Sequence, residues 1–127
     1  MNLFTESNLS PEVLQAIGDL GFVEPTEIQK QTIPFISTDI RDLIALAATG
    51  TGKTAAFSLP ILDMIDDNSR DIQLLVLCPT RELCLQITKD IKNYTKYLRN
   101  IKTTAVYGGS SIMDQIRSLR DKPQIIM

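Results

Sequence analysis

The stretch Ala47-Ala48-Thr49-Gly50-Thr51-Gly52-Lys53-Thr54 decides how this chain folds. It follows an apolar run at 43–46 and precedes the helix-forming residues 55–59. Gly50 and Gly52 let the backbone turn so that successive N–H groups can point at an anion, and the following helix adds its positive N-terminal end. The sequence therefore predicts a phosphate-binding loop of the form G-x-x-x-x-G-K-[ST], in which Ala47 replaces the first Gly.

Lys53 and Thr54 are the residues of this loop that carry chemistry. The Lys53 ammonium can reach the terminal phosphates of a nucleotide, and the Thr54 hydroxyl is placed to bind the Mg²⁺ that accompanies them. A Gly-rich turn between a strand and a helix can also be only a connector. Here the loop residues and both flanking elements agree, so we predict a nucleotide site with Lys53 and Thr54 as its catalytic residues.

The composition indicates one soluble globular domain. The chain has 127 residues, of which 43% are hydrophobic and 22% are charged, a balance typical of folded domains. No apolar run approaches the roughly 18 residues of a membrane span, and the first residues carry no basic signal-peptide region. We therefore expect a cytoplasmic protein with no membrane partner.

The cysteine and histidine content and the charge distribution limit the kinds of site and partner that this chain could have. The chain has two cysteines and no histidine, which excludes a zinc knuckle or a histidine base built from this chain. Cys78 ends an apolar run, where a buried small side chain is expected. Residues 1–80 hold 4 Lys/Arg and 11 Asp/Glu, whereas residues 81–127 hold 9 and 4. This charge asymmetry is typical of a protein that binds an anionic partner, although solvated helix faces of opposite charge would explain it equally well.

The apolar periodicity predicts alternating strands and helices. Strands are predicted at 43–46, 72–78, 103–107 and 124–127. Five helices are predicted. The first runs from Ser10-Pro11 to Leu20, and the second starts at Pro25-Thr26 and is broken or kinked by Pro34. The others run from Lys53 to about Ile65 with an interruption at Pro60, from Thr80 to about Leu98, and from Ser110 or Ser111 to about Arg120. Residues 1–9 are predicted to be irregular, with Phe4 exposed. The pattern predicts an α/β fold, a parallel sheet with helices on both faces.

Three features follow the ends of predicted strands. They are the phosphate loop, Pro79-Thr80-Arg81 and Gly108-Gly109. Because ligands gather beyond the carboxyl ends of parallel strands, we expect all three to line one edge of the sheet. Separately, Thr26-Glu27-Ile28-Gln29 has the form of a capping box, so the simplest role for Gln29 is to bind the backbone at its own helix start.

Over essentially all 127 residues, the chain resembles the first half of the first RecA-like domain of a DEAD-box RNA helicase. Ala at the first position of the phosphate loop is this family's own variant. Gly21-Phe22 followed by Pro25-Thr26-Glu27-Ile28-Gln29, with Phe4 upstream, resembles the Q motif, at about 2–30. Pro79-Thr80-Arg81-Glu82-Leu83 resembles motif Ia, and Gly108-Gly109 resembles the family's paired glycines. The resemblance implies a partial RecA-like P-loop domain spanning 1–127.

The resemblance also implies roles for individual residues. Gln29 would pair with the adenine of ATP, Thr26 would support its loop, and Phe22 and Phe4 would pack around the base. The phosphates and Mg²⁺ would be held by Ala47, Ala48, Thr49, Gly50, Thr51, Gly52, Lys53 and Thr54, with little expected from the variant residues Ala48 and Thr51. Pro79, Thr80, Arg81, Gly108 and Gly109 would meet the sugar-phosphate backbone of RNA, which positions without specifying sequence.

Other motifs of the family are not found in this sequence, among them the Asp-Glu-Ala-Asp box and the second RecA-like domain. We therefore expect a piece of an ATP-hydrolysing RNA helicase that binds ATP and RNA weakly alone, without turnover. Exposed apolar sheet would favour self-association. Two alternatives stay open: another P-loop enzyme such as a small-molecule kinase, and a non-catalytic interaction module. A guanine-binding switch is disfavoured because no N-K-x-D stretch is present.

Overall fold

The chain folds as two units, Met1–Met64 and Ile65–Met127, which are described separately. The structure is a computed structural model that describes residues 3–39 and 41–127. Met1 and Asn2, at the start of the chain, and Ile40, in the predicted polar turn at 39–42, lie outside the described residues. Within the described ranges, no helix combines the length and apolar character needed to cross a membrane.

The first unit is helical. Its elements are a 3₁₀ helix at Leu3–Ser7, then α1 at Pro11–Asp19, α2 at Glu27–Thr38 and α3 at Lys53–Asp63. Ser10 caps α1 as predicted, because its hydroxyl accepts a hydrogen bond from Val13 N at 3.5 Å. The Ser10 backbone N–H also donates to Asp63 Oδ1 at 3.0 Å. This bond ties the start of α1 to the end of α3.

Two prolines lie inside helices of this unit without ending them. Pro34 is within α2 and Pro60 is within α3, so Pro34 does not break its helix and the predicted interruption at Pro60 is wrong. A proline removes one backbone hydrogen bond, but tertiary packing routinely outweighs that local loss. Here α2 and α3 pack along each other, and Pro60 itself is buried in the core. Their contact places the start of α3, where the phosphate loop ends, against the start of α2.

The predicted strand at 43–46 is also wrong. These residues have no regular secondary structure, and Ile44 and Leu46 are 88% and 89% exposed. A strand exists only through hydrogen bonds to a neighbouring strand. Among residues 3–39 and 41–127, no backbone hydrogen bond pairs 43–46 with another segment. The apolar run therefore has strand composition without a strand partner.

The prediction for the N-terminal segment needs a correction as well. Residues Leu3–Ser7 form a 3₁₀ helix rather than irregular chain, and Phe4 is fully buried rather than exposed. The Phe4 and Phe22 ring centroids lie 6.2 Å apart, within the range of attractive aromatic pairs. Phe4 has few apolar neighbours along the sequence, and its ring partner Phe22 comes from a distant position in the chain.

The second unit contains the parallel sheet. Strands β1 at Leu74–Leu75, β2 at Thr103–Thr104 and β3 at Ile125–Ile126 are arranged in the order β1-β3-β2. Leu74 is opposite Ile125, and Thr103 is opposite Ile125 from the other side. Further bonds extend the pairing, such as Val76 N to Ile126 O and Val106 N to Met127 O, both 2.9 Å. Three of the four predicted strands are thus found, each shorter than predicted.

Two helices connect these strands and complete the α/β architecture that the sequence predicts. Helix α4 spans Arg81–Tyr94 and helix α5 spans Ile112–Arg120. α4 ends four residues before its predicted end at Leu98, and it buries Cys84, Ile87, Ile91 and Tyr94, which follow helical spacing. On the sheet itself, Leu75 and Leu77 remain exposed, at 61% and 85%. One face of β1 is therefore open.

Candidate functional site

The phosphate loop has the left-handed turns that its glycines predict. Gly50 and Gly52 have φ angles of +78° and +81°, and Gly52 is the N-cap of α3. The Thr51 hydroxyl donates to the Ala48 carbonyl at 2.6 Å and closes the loop on itself. Left-handed backbone followed at once by a helix N-terminus is an arrangement that binds anions.

Lys53 lies across this loop. Its ammonium donates to the Ala47 carbonyl at 2.8 Å, and the side chain is exposed. An ammonium has three donors, so this bond leaves two for a phosphate. Thr54 follows in the first turn of α3 and is half-buried. In residues 3–39 and 41–127, no group of three or more His, Cys, Asp or Glu side chains is placed to hold a metal ion.

Gln29 connects the start of α2 to the phosphate loop. Its side-chain Oε1 accepts from Thr26 N at 2.9 Å, which confirms the predicted capping contact. Its Nε2 also donates to the Gly52 carbonyl at 3.1 Å, a contact that the sequence did not reveal. Gln29 is only 3% exposed. Both ends of this buried amide are therefore held, one by its own helix and one by the loop.

Thr26 makes a second connection to the same loop. Its hydroxyl donates to the Thr51 carbonyl at 2.8 Å. Further along α2, the buried Thr32 hydroxyl donates to the Ala56 carbonyl at 3.1 Å. The N-cap side chain and two side chains of α2 thus bind the backbone of 51–56. The Thr51 hydroxyl makes the internal closure, and the Thr51 carbonyl accepts the bond from Thr26.

A groove lies beside Gln29 in the first unit. Its lining includes Glu24, Pro25, Gln29, Lys30 and Ile33. The Lys30 ammonium and Glu24 carboxylate form an ion pair of 2.9 Å, and this hydrogen bond raises the pKa of Lys30. Phe22 is half-buried against Phe4. Of the two predicted base-contacting aromatics, Phe22 alone keeps exposed surface, and Phe4 supports it from the core.

In the second unit, the predicted RNA-contacting residues come together. Pro79, Thr80, Arg81 and Gly108 line one groove, at the carboxyl ends of β1 and β2. Thr80 caps α4 by accepting from Leu83 N at 3.2 Å, so Arg81 is the first residue of that helix. Gly109 has φ +81°, and a Cβ atom there would lie 3.6 Å from an Arg81 guanidinium nitrogen. The predicted common edge is confirmed for these two segments.

Tyr107 also lines this groove, and neither it nor its partner Gln115 was predicted as a site residue. The Arg81 guanidinium carbon lies 4.8 Å from the centroid of the Tyr107 ring. Gln115, on α5, accepts from Tyr107 N at 3.2 Å and donates to Tyr107 O at 2.8 Å. From the sequence, Tyr107 was predicted only to end a strand, and Gln115 was predicted only to lie in a helix. Their pairing depends on the turn between β2 and α5, which brings the start of α5 beside Tyr107.

The two cysteines line the same groove. Cys84 is buried, whereas Cys78, which was expected to be buried, is only half-buried. Burial raises the pKa of the Cys78 thiol, and the neighbouring Cys84 adds to this effect. A raised thiol pKa keeps Cys78 protonated and weakly nucleophilic.

Comparison with known proteins identifies the family. The family model for the DEAD/DEAH box helicase matches residues 26–127. The chain is 43% identical over 127 residues to the ATP-dependent RNA helicase CshA of Listeria monocytogenes, a match that covers all of this chain and 24% of that protein. The chain thus spans about a quarter of the length of this relative.

Solved structures give the same result. A DEAD box protein from the hyperthermophile Methanococcus jannaschii matches all of this chain and 34% of its own, with a TM-score of 0.91 and 38% identity. Dbp5 of S. cerevisiae, bound to RNA and ADP BeF3, matches with a TM-score of 0.82 and 28% identity, over all of this chain and 32% of its own. The family match and these structures agree with the motifs and their geometry, and the chain belongs to the DEAD/DEAH box helicase family.

Proposed function

We propose that this chain is the ATP-binding part of an ATP-dependent RNA helicase. The observation that carries the proposal is the contact between Gln29 and Gly52, because it joins the predicted adenine-reading residue to the phosphate loop. A small-molecule kinase has no need for this connection or for the Arg81 groove. The names of the curated relatives support the same conclusion.

The nucleotide would be held at both ends. The loop from Ala47 to Thr54 would take the phosphates, with Lys53 as the cation and Thr54 as a ligand of Mg²⁺. Magnesium would neutralise phosphate charge when bound. Gln29 would exchange part of its present hydrogen bonding for the adenine edge, and Phe22 would pack on the base. The loop fits this use because Gly50 has open space around its α-carbon.

The RNA backbone would lie along the groove of Pro79, Thr80, Arg81 and Gly108-Gly109. A helix N-terminus and an exposed guanidinium favour phosphate oxygens over base edges. We therefore propose weak RNA binding that falls steeply with salt and depends little on base sequence. Arg81→Ala, compared with the exposed Arg99→Ala as the matched control, should reduce RNA affinity in fluorescence anisotropy. Equal affinities for the two variants would reject this groove.

The 127-residue polypeptide is proposed to bind ATP without turning it over. Phosphoryl transfer needs a carboxylate that organises the metal, a group that positions water, and usually an arginine at the developing charge. Lys53 and Thr54 supply none of these. A steady-state phosphate-release assay should show no activity above that of Lys53→Ala. Multiple turnovers that disappear in Lys53→Ala would contradict the proposal.

We also propose that this polypeptide self-associates. Ile44, Leu46 and Leu77 are large apolar side chains more than four-fifths exposed, and such surfaces favour association. Sedimentation velocity across a range of protein concentrations should show a rising sedimentation coefficient. A constant monomeric value at all concentrations would contradict this part of the proposal.

A further inference from the structure

Tyr107 joins the two segments of the proposed RNA groove. Its backbone directly precedes Gly108-Gly109, and its ring lies beneath the Arg81 guanidinium, with 4.8 Å between the guanidinium carbon and the ring centroid. Arg81 and Tyr107 are far apart in sequence: Arg81 begins α4, whereas Tyr107 lies in the segment between β2 and α5. A single side chain therefore connects the start of α4 to the glycine turn after β2.

The Arg81 guanidinium has the geometry of a cation held on an aromatic face. A cation within about 6 Å of a ring centroid is attracted to it. Within residues 3–39 and 41–127, no ion pair between Arg81 and a carboxylate is found. The Tyr107 ring thus restricts the Arg81 side chain without neutralising its charge. The guanidinium N–H groups stay available to an anion.

Tyr107 is in turn fixed by Gln115. The Gln115 amide accepts from Tyr107 N and donates to Tyr107 O, at 3.2 and 2.8 Å, in the manner of a paired strand. Both backbone groups of Tyr107 are satisfied by this one side chain, so the residue is held where β2 has ended. The anchor lies immediately before Gly108-Gly109 and fixes the residue from which that turn starts.

We infer that Tyr107 is a positioning residue that aligns the Arg81 guanidinium with the Gly108-Gly109 turn, and that Gln115 holds Tyr107 in place. The inference rests on the proposed function, since the ligand is the RNA backbone. Pre-arranged cations lose less side-chain freedom on binding, which increases affinity without a new contact. Tyr107 would act through Arg81 rather than by stacking on a base, because the guanidinium covers its ring.

The experiment measures the affinity of the full 127-residue chain for a fluorescein-labelled oligouridine by anisotropy. Tyr107→Leu should weaken binding about two- to fivefold, because the unrestrained Arg81 side chain then has to be ordered on binding. Tyr107→Phe keeps the ring and should bind like the parent. In an Arg81→Ala background, Tyr107→Leu should have no further effect, because there is no guanidinium left to align.

A structural role for Tyr107 is separated by two controls. Thermal unfolding of each variant reports loss of fold, and Tyr107→Phe preserves packing while testing the hydroxyl. Gln115→Ala should weaken binding in the parent but not in Tyr107→Leu, whereas the exposed Gln86→Ala should change neither. Losses that add independently, or Tyr107→Phe binding as weakly as Tyr107→Leu, would overturn the positioning role alone. An Arg81→Ala variant with parental RNA affinity would overturn the proposed RNA groove as well.

Discussion

Gly52→Ala tests the connection between α2 and the phosphate loop most sharply. A Cβ atom at this position would lie 2.3 Å from Gln29 Nε2, so the amide must move away. That movement would break the bonds of Gln29 to Gly52 O and to Thr26 N. The left-handed backbone, at φ +81°, adds a penalty of its own for any residue with a side chain.

The expected loss of stability is the sum of the backbone penalty and the lost hydrogen bonds. The left-handed conformation costs about 1–2 kcal/mol, and each of the two lost hydrogen bonds contributes about 1 kcal/mol. Gly52→Ala should therefore reduce the free energy of unfolding by about 3–4 kcal/mol. Gly50→Ala is the matched control: its φ is +78°, but nothing lies within 4 Å of the added atom. It should cost only about 1–2 kcal/mol.

Urea unfolding of the single variants, and of Gly52→Ala in a Gln29→Ala background, measures these terms. Without the Gln29 amide there is nothing to displace, so Gly52→Ala should then cost about the same as Gly50→Ala, about 1–2 kcal/mol. Two results would refute the role of Gln29 in this cost. One is that Gly52→Ala lowers the free energy of unfolding of the parent no more than Gly50→Ala does. The other is that Gly52→Ala lowers it by the same amount in the Gln29→Ala background as in the parent.

Three further predictions concern the loop, a helix cap and a buried tyrosine. Lys53→Ala should abolish ATP binding in a calorimetric titration while its circular dichroism and unfolding midpoint stay parental, because an exposed charge-assisted contact is lost rather than a core contact. Ser111→Ala should cost about 1 kcal/mol of stability because the Ser111 hydroxyl caps α5, whereas Ser110→Ala should stay within about 0.5 kcal/mol; equal losses would contradict the cap assignment. Burial, aided by Asp90, raises the pKa of Tyr94 to about 12. Because Tyr94 ionises at lower pH in the unfolded chain than in the folded one, the free energy of unfolding of the parent should fall by about 2 kcal/mol relative to Tyr94→Phe between pH 10 and pH 12. Tyr97→Phe is the control, and identical pH profiles for the parent and Tyr94→Phe would refute this prediction.

Local features of the fold could be predicted from the sequence. The phosphate loop, the Ser10 cap and the Gln29 capping contact depend on residues close together in the chain, and the structure contains all three. The same holds for α5, where the structure selects Ser111 over Ser110 as the cap. Such features are set by backbone conformation and short-range hydrogen bonds, which sequence spacing encodes directly.

The errors involve partners that are distant in sequence. Residues 43–46 have strand composition, but strand formation depends on a neighbouring strand that composition cannot identify. Phe4 was expected to be exposed because few apolar residues lie near it along the chain, yet Phe22 contacts its ring. Gln115 and Tyr107 pair only after β2 and α5 fold together. The predicted roles of the site residues toward ATP, Mg²⁺ and RNA stay predictions that the variants above can test.

Gln29 is proposed to read adenine while it is connected to the phosphate loop. The direct measurement is calorimetric titration of ATP and of GTP into the parent, Gln29→Ala and Gln31→Ala, the last being an exposed glutamine on the same helix. The parent and Gln31→Ala should prefer ATP, and Gln29→Ala should lose most of that preference, since a buried reader penalises the base that leaves it unpaired. An unchanged ATP preference in Gln29→Ala, with only a stability loss of about 0.5–2 kcal/mol, would reduce Gln29 to a helix cap and contradict the claim.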